Sequence, residues 1–267
     1  PIRVIGFVID IIDFKPTAVL PQHFCRRVPN IQKLNIPEWA AVDSNIRLVE
    51  PLPAVDGYTS IRLATFAGPD PAFTLIDTTT HEHLPVETEA RTALRWAVVD
   101  PVAPAPRSPA FHRRRQQQAD EALKHFRAGG FDGLEAFRDL EHRDLERAVK
   151  VLPSDLVPMA RHLVTENRRV QKHVAAMRRS DWQMIGALLL MSHASQRDDW
   201  GGTHAAADAV VEEAETRTHD GFYGACMTGR SGAVLVTGRP NNFERGLRHL
   251  VDAVEPVLGH PPRILAP

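Results

Sequence analysis

The sequence predicts an α+β protein, and three observations along its 267 residues carry this prediction. Residues 1–110 are rich in proline and β-branched residues and contain short strand-like runs separated by turn residues. Apolar residues then recur at helical spacing over residues 111–179. The last part of the chain has the order strand, strand, helix, strand, which favours a sheet covered by helices.

The first hundred residues predict strands rather than helices. The strand-like runs are residues 3–8, 46–49, 61–66, 73–76 and 94–99. The stretch that follows, DPVAPAPRSP at residues 100–109, predicts a loop, because proline lacks an amide donor and restricts the residue before it. We therefore expect a mostly β region over residues 1–100 and a separate domain over residues 101–267.

The middle and end of the chain predict helices and then a small sheet. Glycines 129 and 130 and Pro153 interrupt the helical pattern. Ser154 and Ser180 are predicted N-caps of the next two helices, since a serine hydroxyl accepts hydrogen bonds from free N–H groups at a helix start. The remaining predictions are a helix over residues 205–218, strands over 222–228 and 233–237, a helix over 242–258 and a strand over 263–265.

The composition excludes some classes of partner. The net charge is −1, which argues against a broad electrostatic surface for nucleic acid or anionic membranes. The longest apolar run, IGALLLM at residues 185–191, is far shorter than the roughly 20 residues that cross a bilayer. No secretory leader is recognisable, and two cysteines, Cys25 and Cys226, do not make a disulfide framework. These features favour a cytoplasmic location, and they do not fix an oligomeric state.

Four short motifs invite a chemical reading, and for each a structural reading competes. His81 and His83 could offer imidazoles to a metal, but no third ligand stands at an obvious spacing, so we expect a solvated turn and no metal site. Arg113 to Arg115 favour a solvated helix face over a phosphate contact. Ser192 and His193 are adjacent on a helix and point about 100° apart, so they do not form a catalytic dyad. TGRSG, at residues 228–232, lies between two strands and favours a hairpin over a Walker A loop.

Read together, these segments resemble one known family. Three motifs follow one another at the spacing seen in galactokinases: HLVTENRRV at residues 162–170, GALLLMSHASQRDDW at 186–200 and GFYGACMTGRSGAVLV at 221–236. Upstream, AFTLIDTTTHEHLPV, WAVVDP and AFHRRR resemble the family's A-L-L-I-D hairpin, V-V-x-D-T strand and Y-N-x-R-R helix start. The chain thus resembles galactokinases and, through them, the GHMP superfamily of small-molecule kinases, over about residues 60–265.

This resemblance implies a fold and an activity. It implies a GHMP-kinase-like α+β protein whose C-terminal domain is a ferredoxin-like sandwich and whose N-terminal region is reduced and mostly β. It implies ATP with Mg²⁺ and a monosaccharide as ligands, bound between the domains. The expected reaction converts a sugar to its 1-phosphate, and the protein's part in it is positioning and charge stabilisation.

The sequence departs from the family's pattern at several site positions. The phosphate loop G-L-S-S-S-A-A has no counterpart, and Thr-Ser-Ile at residues 59–61 stands where the family has Met-Asp-Gln. Asp56 is the candidate replacement for the catalytic aspartate, and Asp10 or Asp13 is the candidate sugar-binding aspartate. Phe111 replaces a tyrosine that contacts the sugar. The other expected substrate-binding residues are those of the hairpin loop: Thr228, Gly229, Arg230, Ser231 and Gly232.

Three functions remain open on the sequence. The first is an active galactokinase-like enzyme. The second is an inactive relative, a pseudokinase or fragment that binds sugar or nucleotide as a regulator. The third is a structural remnant that binds no ligand.

Overall fold

A computed structural model describes residues 74–76, 83–86, 93–104, 106–228 and 232–265 of the chain. The helices are α1 (Pro109–Ala128), α2 (Leu145–Ala148), α3 (Val157–Arg178), α4 (Trp182–Asp198), α5 (Ala205–Thr216) and α6 (Phe243–Leu258). The strands are β1 (Thr74–Ile76), β2 (His83–Pro85), β3 (Arg95–Asp100), β4 (Phe222–Thr228), β5 (Ala233–Gly238) and β6 (Arg263–Leu265). No helix in these ranges has both the length and the apolarity needed to cross a membrane. The strands predicted over residues 3–8, 46–49 and 61–66 lie outside the described residues.

Four strands form one antiparallel sheet in the order β4-β5-β3-β6. β5 pairs with β4 on one side and with β3 on the other, and β3 also pairs with β6. Along the chain the elements run β3, helices, β4, β5, α6, β6. This is the split βαβ arrangement of ferredoxin-like domains. The predicted α+β class with a ferredoxin-like sandwich is therefore confirmed.

Helices α5 and α6 cover one face of this sheet. Alternate strand residues point to that face because side chains alternate across a strand. Val99, Met227 and Val234 pack there against Val210 of α5 and Leu250 of α6, and each of the five is at most 1% exposed. At about 25 cal/mol per Å² of apolar surface, burial of such side chains supplies the main favourable free energy of this layer.

Helix α4 lies very close to strand β4. A Cβ atom placed on Gly186 of α4 would overlap the backbone of Tyr223, and one placed on Gly224 of β4 would overlap the carbonyl group of Gly186. The two backbones therefore touch, which only glycine permits. This contact fixes the position of α4 against the strand that leads into residues 228–232.

A second core joins α1 and α3. Its fully buried centre includes Phe126 of α1 and Met159 of α3, together with Leu156 at the start of α3. The connecting segment between α1 and α3 contributes Phe137, which meets Phe126 edge to face at 5.6 Å. This core supports α3, and α3 in turn packs against α4.

Both predicted N-caps are wrong. The N-cap position of α3 is Leu156, whose side chain makes no capping hydrogen bond. Pro158 in the first turn has no N–H group, so one fewer donor has to be capped there. Helix α4 is capped by Asp181, whose side chain accepts from the Met184 N–H at 3.0 Å, and not by Ser180. Ser180 has a positive φ of 54°, so its backbone already belongs to the turn between the helices.

Candidate functional site

The hairpin formed by β4 and β5 carries the loop predicted to bind substrate. Thr228 is half-buried at the end of β4 and pairs with Ala233 of β5. Gly232 is buried and has a φ of +84°, a conformation that favours glycine. Gly229, Arg230 and Ser231, as well as Asp10, Asp13 and Asp56, lie outside the described residues. Their roles stay predictions.

His193 of α4 holds the strand that enters this loop. Its Nδ1 accepts from the Met227 N–H at 3.2 Å, so the neutral ring carries its proton on Nε2 and donates it to Asp208 Oδ1 at 3.1 Å. Burial lowers the pKa of His193, and Asp208 opposes this decrease. Among the described strands β4 lies at the edge of the sheet, so His193 also satisfies an N–H group that no described strand pairs with on that side.

Ser192, the neighbour of His193, points elsewhere. Its hydroxyl donates to Glu166 Oε2 at 2.9 Å, and Glu166 forms an ion pair with Arg169 on the same helix, α3. The glutamate is 6% exposed, so its charge depends on these two partners. The predicted absence of a Ser192–His193 dyad is confirmed, and the serine instead ties α4 to α3.

A buried arginine, Arg107, contacts α4 and the residues that follow it. Arg107 is 8% exposed and donates to the Gly202 carbonyl oxygen at 3.1 Å and to Gln196 Oε1 at 2.7 Å. Its positive charge contributes to lowering the pKa of His162, although burial is the larger cause. Burial raises the pKa of the Cys226 thiol to about 12, and the positive charge of Arg107 opposes this increase. Arg107 thus places one positive charge in the interior near His162 and Cys226.

Phe111 lies in the first turn of α1 and in the core. It is 7% exposed and meets Trp200 edge to face at 5.9 Å. The guanidinium group of Arg115 lies beside both rings, 5.2 Å from the centre of Phe111 and 5.1 Å from that of Trp200. Ser108 is the N-cap of this helix, and its hydroxyl accepts from the Phe111 N–H. A sugar contact by Phe111 stays a prediction.

Three polar residues near the hairpin were missed by the sequence reasoning. Arg107 stands in a proline-rich loop, where no periodicity indicates burial. His204 caps α5 with its ring, a role that sequence patterns assign to Ser, Thr, Asp or Asn. Asp208, in the first turn of α5, could have been found, because acidic residues are favoured at that end of a helix.

Comparison with known proteins finds galactokinases among the relatives of this chain. No protein-family model matches the chain. It is 29% identical to the galactokinase of Thermotoga petrophila over 245 residues, which are 90% of this chain and 63% of that protein. It is 28% identical to the galactokinase of Thermotoga neapolitana, over 88% of this chain and 61% of the relative. A shorter match to the galactokinase of Actinobacillus succinogenes is 33% identical over 129 residues, 44% of this chain and 32% of the relative.

A solved structure shows the same fold. The crystal structure of Lactococcus lactis galactokinase complexed with galactose superposes with a TM-score of 0.64 at 23% sequence identity, covering 72% of this chain and 49% of that one. The chain thus spans less than two thirds of the length of these curated relatives. The resemblance found in the sequence motifs is confirmed: the chain is similar to galactokinases over most of its length and shares the fold of the Lactococcus lactis enzyme.

Proposed function

We propose that the chain acts as a galactokinase-like sugar kinase. In this reaction the anomeric hydroxyl of a monosaccharide attacks the γ-phosphorus of ATP, and the products are the sugar 1-phosphate and ADP. The observation that carries the proposal is the hairpin of β4 and β5. Its sequence resembles the family's substrate-loop motif, and His193 on the neighbouring helix accepts a hydrogen bond from its first strand. The relatives that match most of the chain are named galactokinase.

The proposed roles follow the matching positions. Asp56 is the proposed catalytic carboxylate, which polarises the anomeric hydroxyl, and Asp10 or Asp13 accepts hydrogen bonds from other sugar hydroxyls. Residues 228–232 offer backbone N–H groups to the substrate. Arg230, in place of a family glycine, adds a guanidinium fork that suits a phosphoryl group.

One described residue supports a phosphate-bearing ligand near the hairpin in this proposal. Arg107 keeps a positive charge in the interior beside β4, where a polyanion would find attraction. ATP, accompanied by Mg²⁺, supplies the phosphoryl group when bound. Mg²⁺ takes most of its ligands from water and phosphates. Within residues 74–265, in the parts that the structure describes, no group of three acidic, histidine or cysteine side chains is placed to hold a metal ion, so we derive no metal ligand from them.

We also propose a two-domain organisation, with a boundary close to residue 100. Strand β3, at residues 95–100, pairs with β5 and β6, so it supplies a strand to the C-terminal sheet. In this proposal the boundary predicted at residue 100 therefore moves to before residue 95, where β3 begins. A monosaccharide and ATP as ligands, with no nucleic acid or membrane partner, and a cytoplasmic location are part of the same proposal.

A coupled assay of ADP release tests the activity directly. We expect ATP-dependent turnover with one of galactose, arabinose or glucuronate. Arg230→Ala should then reduce kcat/KM by about 10²-fold, the cost of removing one well-placed electrostatic group. Arg245→Ala is the matched control. Arg245 is exposed on α6, so this substitution removes the same charge at a position away from the hairpin. The absence of turnover with all three sugars would refute the proposed activity.

One sequence feature favours a second candidate function, a binding protein without catalysis. Serine at position 60 aligns with the family's catalytic aspartate, and serine does not carry a negative charge at neutral pH. Such a protein would show a rise in melting temperature with sugar or nucleotide and no ADP release. Thermal-shift measurements with each ligand alone therefore separate the two functions.

A further inference from the structure

Two histidines contact the two ends of the connection between β4 and β5. His193 accepts from the N–H of Met227, near the end of β4. His204, just before α5, lies against Gly232, the residue before β5. Asp208, in the first turn of α5, accepts from His193 and also acts electrostatically on His204. One carboxylate thus links the two histidines.

The ring of His204 has two separate roles. Its Nδ1 accepts from the Ala207 N–H at 3.0 Å and so caps α5. The neutral ring must then carry its proton on Nε2. This Nε2 is buried, and a Cβ atom at Gly232 would overlap it. A serine or aspartate would cap the helix equally well, but it is too short to reach Gly232.

We propose that His204 is a positioning residue, whose ring joins the start of α5 to Gly232 and, together with His193, fixes both ends of the β4–β5 connection. The importance of this for a sugar substrate rests on the proposed function. The positioning itself rests on the contacts of Ala207 and Gly232 with one imidazole. A loop whose ends are fixed loses less conformational freedom when a ligand binds.

The same arrangement makes the connection sensitive to acid. Burial lowers the pKa of His204, while Asp208 and Asp100 oppose this decrease. Protonated His204 has no lone pair on Nδ1, so it cannot accept from Ala207 and the cap is lost. His193 faces Asp208 as well as the positive charges of Arg197 and Arg107. The contacts of His204 with Ala207 and Gly232 are therefore kept while the ring is neutral, and they are lost in acid as the pH falls below its lowered pKa.

Hydrogen exchange in two variants tests the proposal at pH 7.5. His204→Ser keeps a capping oxygen, so its melting temperature should stay within about 1 °C of wild type, while exchange in the peptide of residues 226–234 should rise about fivefold. His204→Ala should show the same exchange and also melt about 2–4 °C lower. Wild-type exchange of this peptide in His204→Ser would overturn the proposal. So would an equal rise in a distant peptide of α1, which would mean general destabilisation.

Kinetics supply a second readout that depends on the proposed function. With galactose and ATP, His204→Ser should raise KM about fivefold and change kcat less than about twofold, because a looser loop must be ordered on binding. If the wild-type chain does not turn over, the proposed function fails while the exchange measurement still decides the positioning role. If exchange rises and KM is unchanged, His204 positions the hairpin but the hairpin does not bind the substrate.

Discussion

The burial of His173 in α3 leads us to expect a measurable loss of stability in acid. The side chain is 1% exposed, and its Nδ1–H donates to the Arg169 carbonyl oxygen at 3.0 Å. Among the described residues its buried Nε2 has no hydrogen-bond partner. Burial is the main cause that lowers its pKa from 6.5 to about 4, with a hydrogen bond to Arg169 opposing and the charge of Arg169 adding to the decrease.

The size of the effect follows from this pKa. The decrease of the pKa from 6.5 to about 4, at about 1.4 kcal/mol per pKa unit, corresponds to about 3.5 kcal/mol in full, of which about 3 kcal/mol is lost by pH 4. The unfolded chain binds the proton at a higher pH than the folded chain does. The stabilisation from neutral His173 is therefore complete above pH 6.5 and is lost as the pH falls to about 4.

Urea unfolding of wild type and His173→Leu, between pH 7.5 and 4, measures this loss. Other histidines also titrate in this range, so the informative quantity is the difference in free energy of unfolding between the two proteins at each pH. We expect this difference to shift in favour of the leucine variant by about 3 kcal/mol from pH 7.5 to pH 4. His142→Leu is the control, because His142 is exposed and its removal takes away an imidazole that lies in solvent.

A difference between wild type and His173→Leu that stays constant across this pH range would refute the reasoning. It would mean that His173 takes up its proton equally readily in the folded and the unfolded chain. An NMR titration provides the independent check, because the ring signals of His173 should not shift between pH 7 and pH 5. A midpoint near pH 6.5 would contradict the burial argument directly.

Two further predictions concern the sheet. Gly224→Ala should destabilise the protein by about 3 kcal/mol or more, or prevent folding, because the added Cβ would overlap the Gly186 carbonyl group. Thermal unfolding measures this loss. The control is Gly133→Ala, whose Cβ would meet no atom within 4 Å; it strains only a φ of +82° and should cost about 1 kcal/mol. In a Cys25→Ser background, Cys226 should not react with a thiol reagent at pH 8 until the protein unfolds, because the thiol is buried with a pKa of about 12. Rapid labelling of folded protein, or equal melting of the two glycine variants, would contradict these expectations.

Local patterns predicted the elements around the hairpin well. The bounds of β4 and β6 agree with the predicted ranges of residues 222–228 and 263–265, since short β-branched and apolar runs end at glycines and prolines there. The helix α6 begins within one residue of its predicted start. These elements have strong local signals, which do not depend on distant partners.

Features that depend on tertiary contacts could not be predicted in this way. Asp181 caps α4 although Ser180 has the better-known capping hydroxyl, because the turn from α3 places Ser180 at a positive φ. Arg107 is buried because it meets Gln196 and Gly202, some 90 residues further along the chain. Neither outcome follows from the residues next to it in sequence.

The position of β3 in the sheet has a consequence for how the domain folds. Its partners β5 and β6 begin at residues 233 and 263, more than 130 residues after β3 ends at residue 100. While the chain is still bound to the ribosome, the apolar side chains of Ala97 and Val99 therefore stay exposed until most of the C-terminal segment has been synthesised. Such non-local pairing slows folding, and the hairpin of β4 and β5 with α4 is the unit that can form first and receive β3 last.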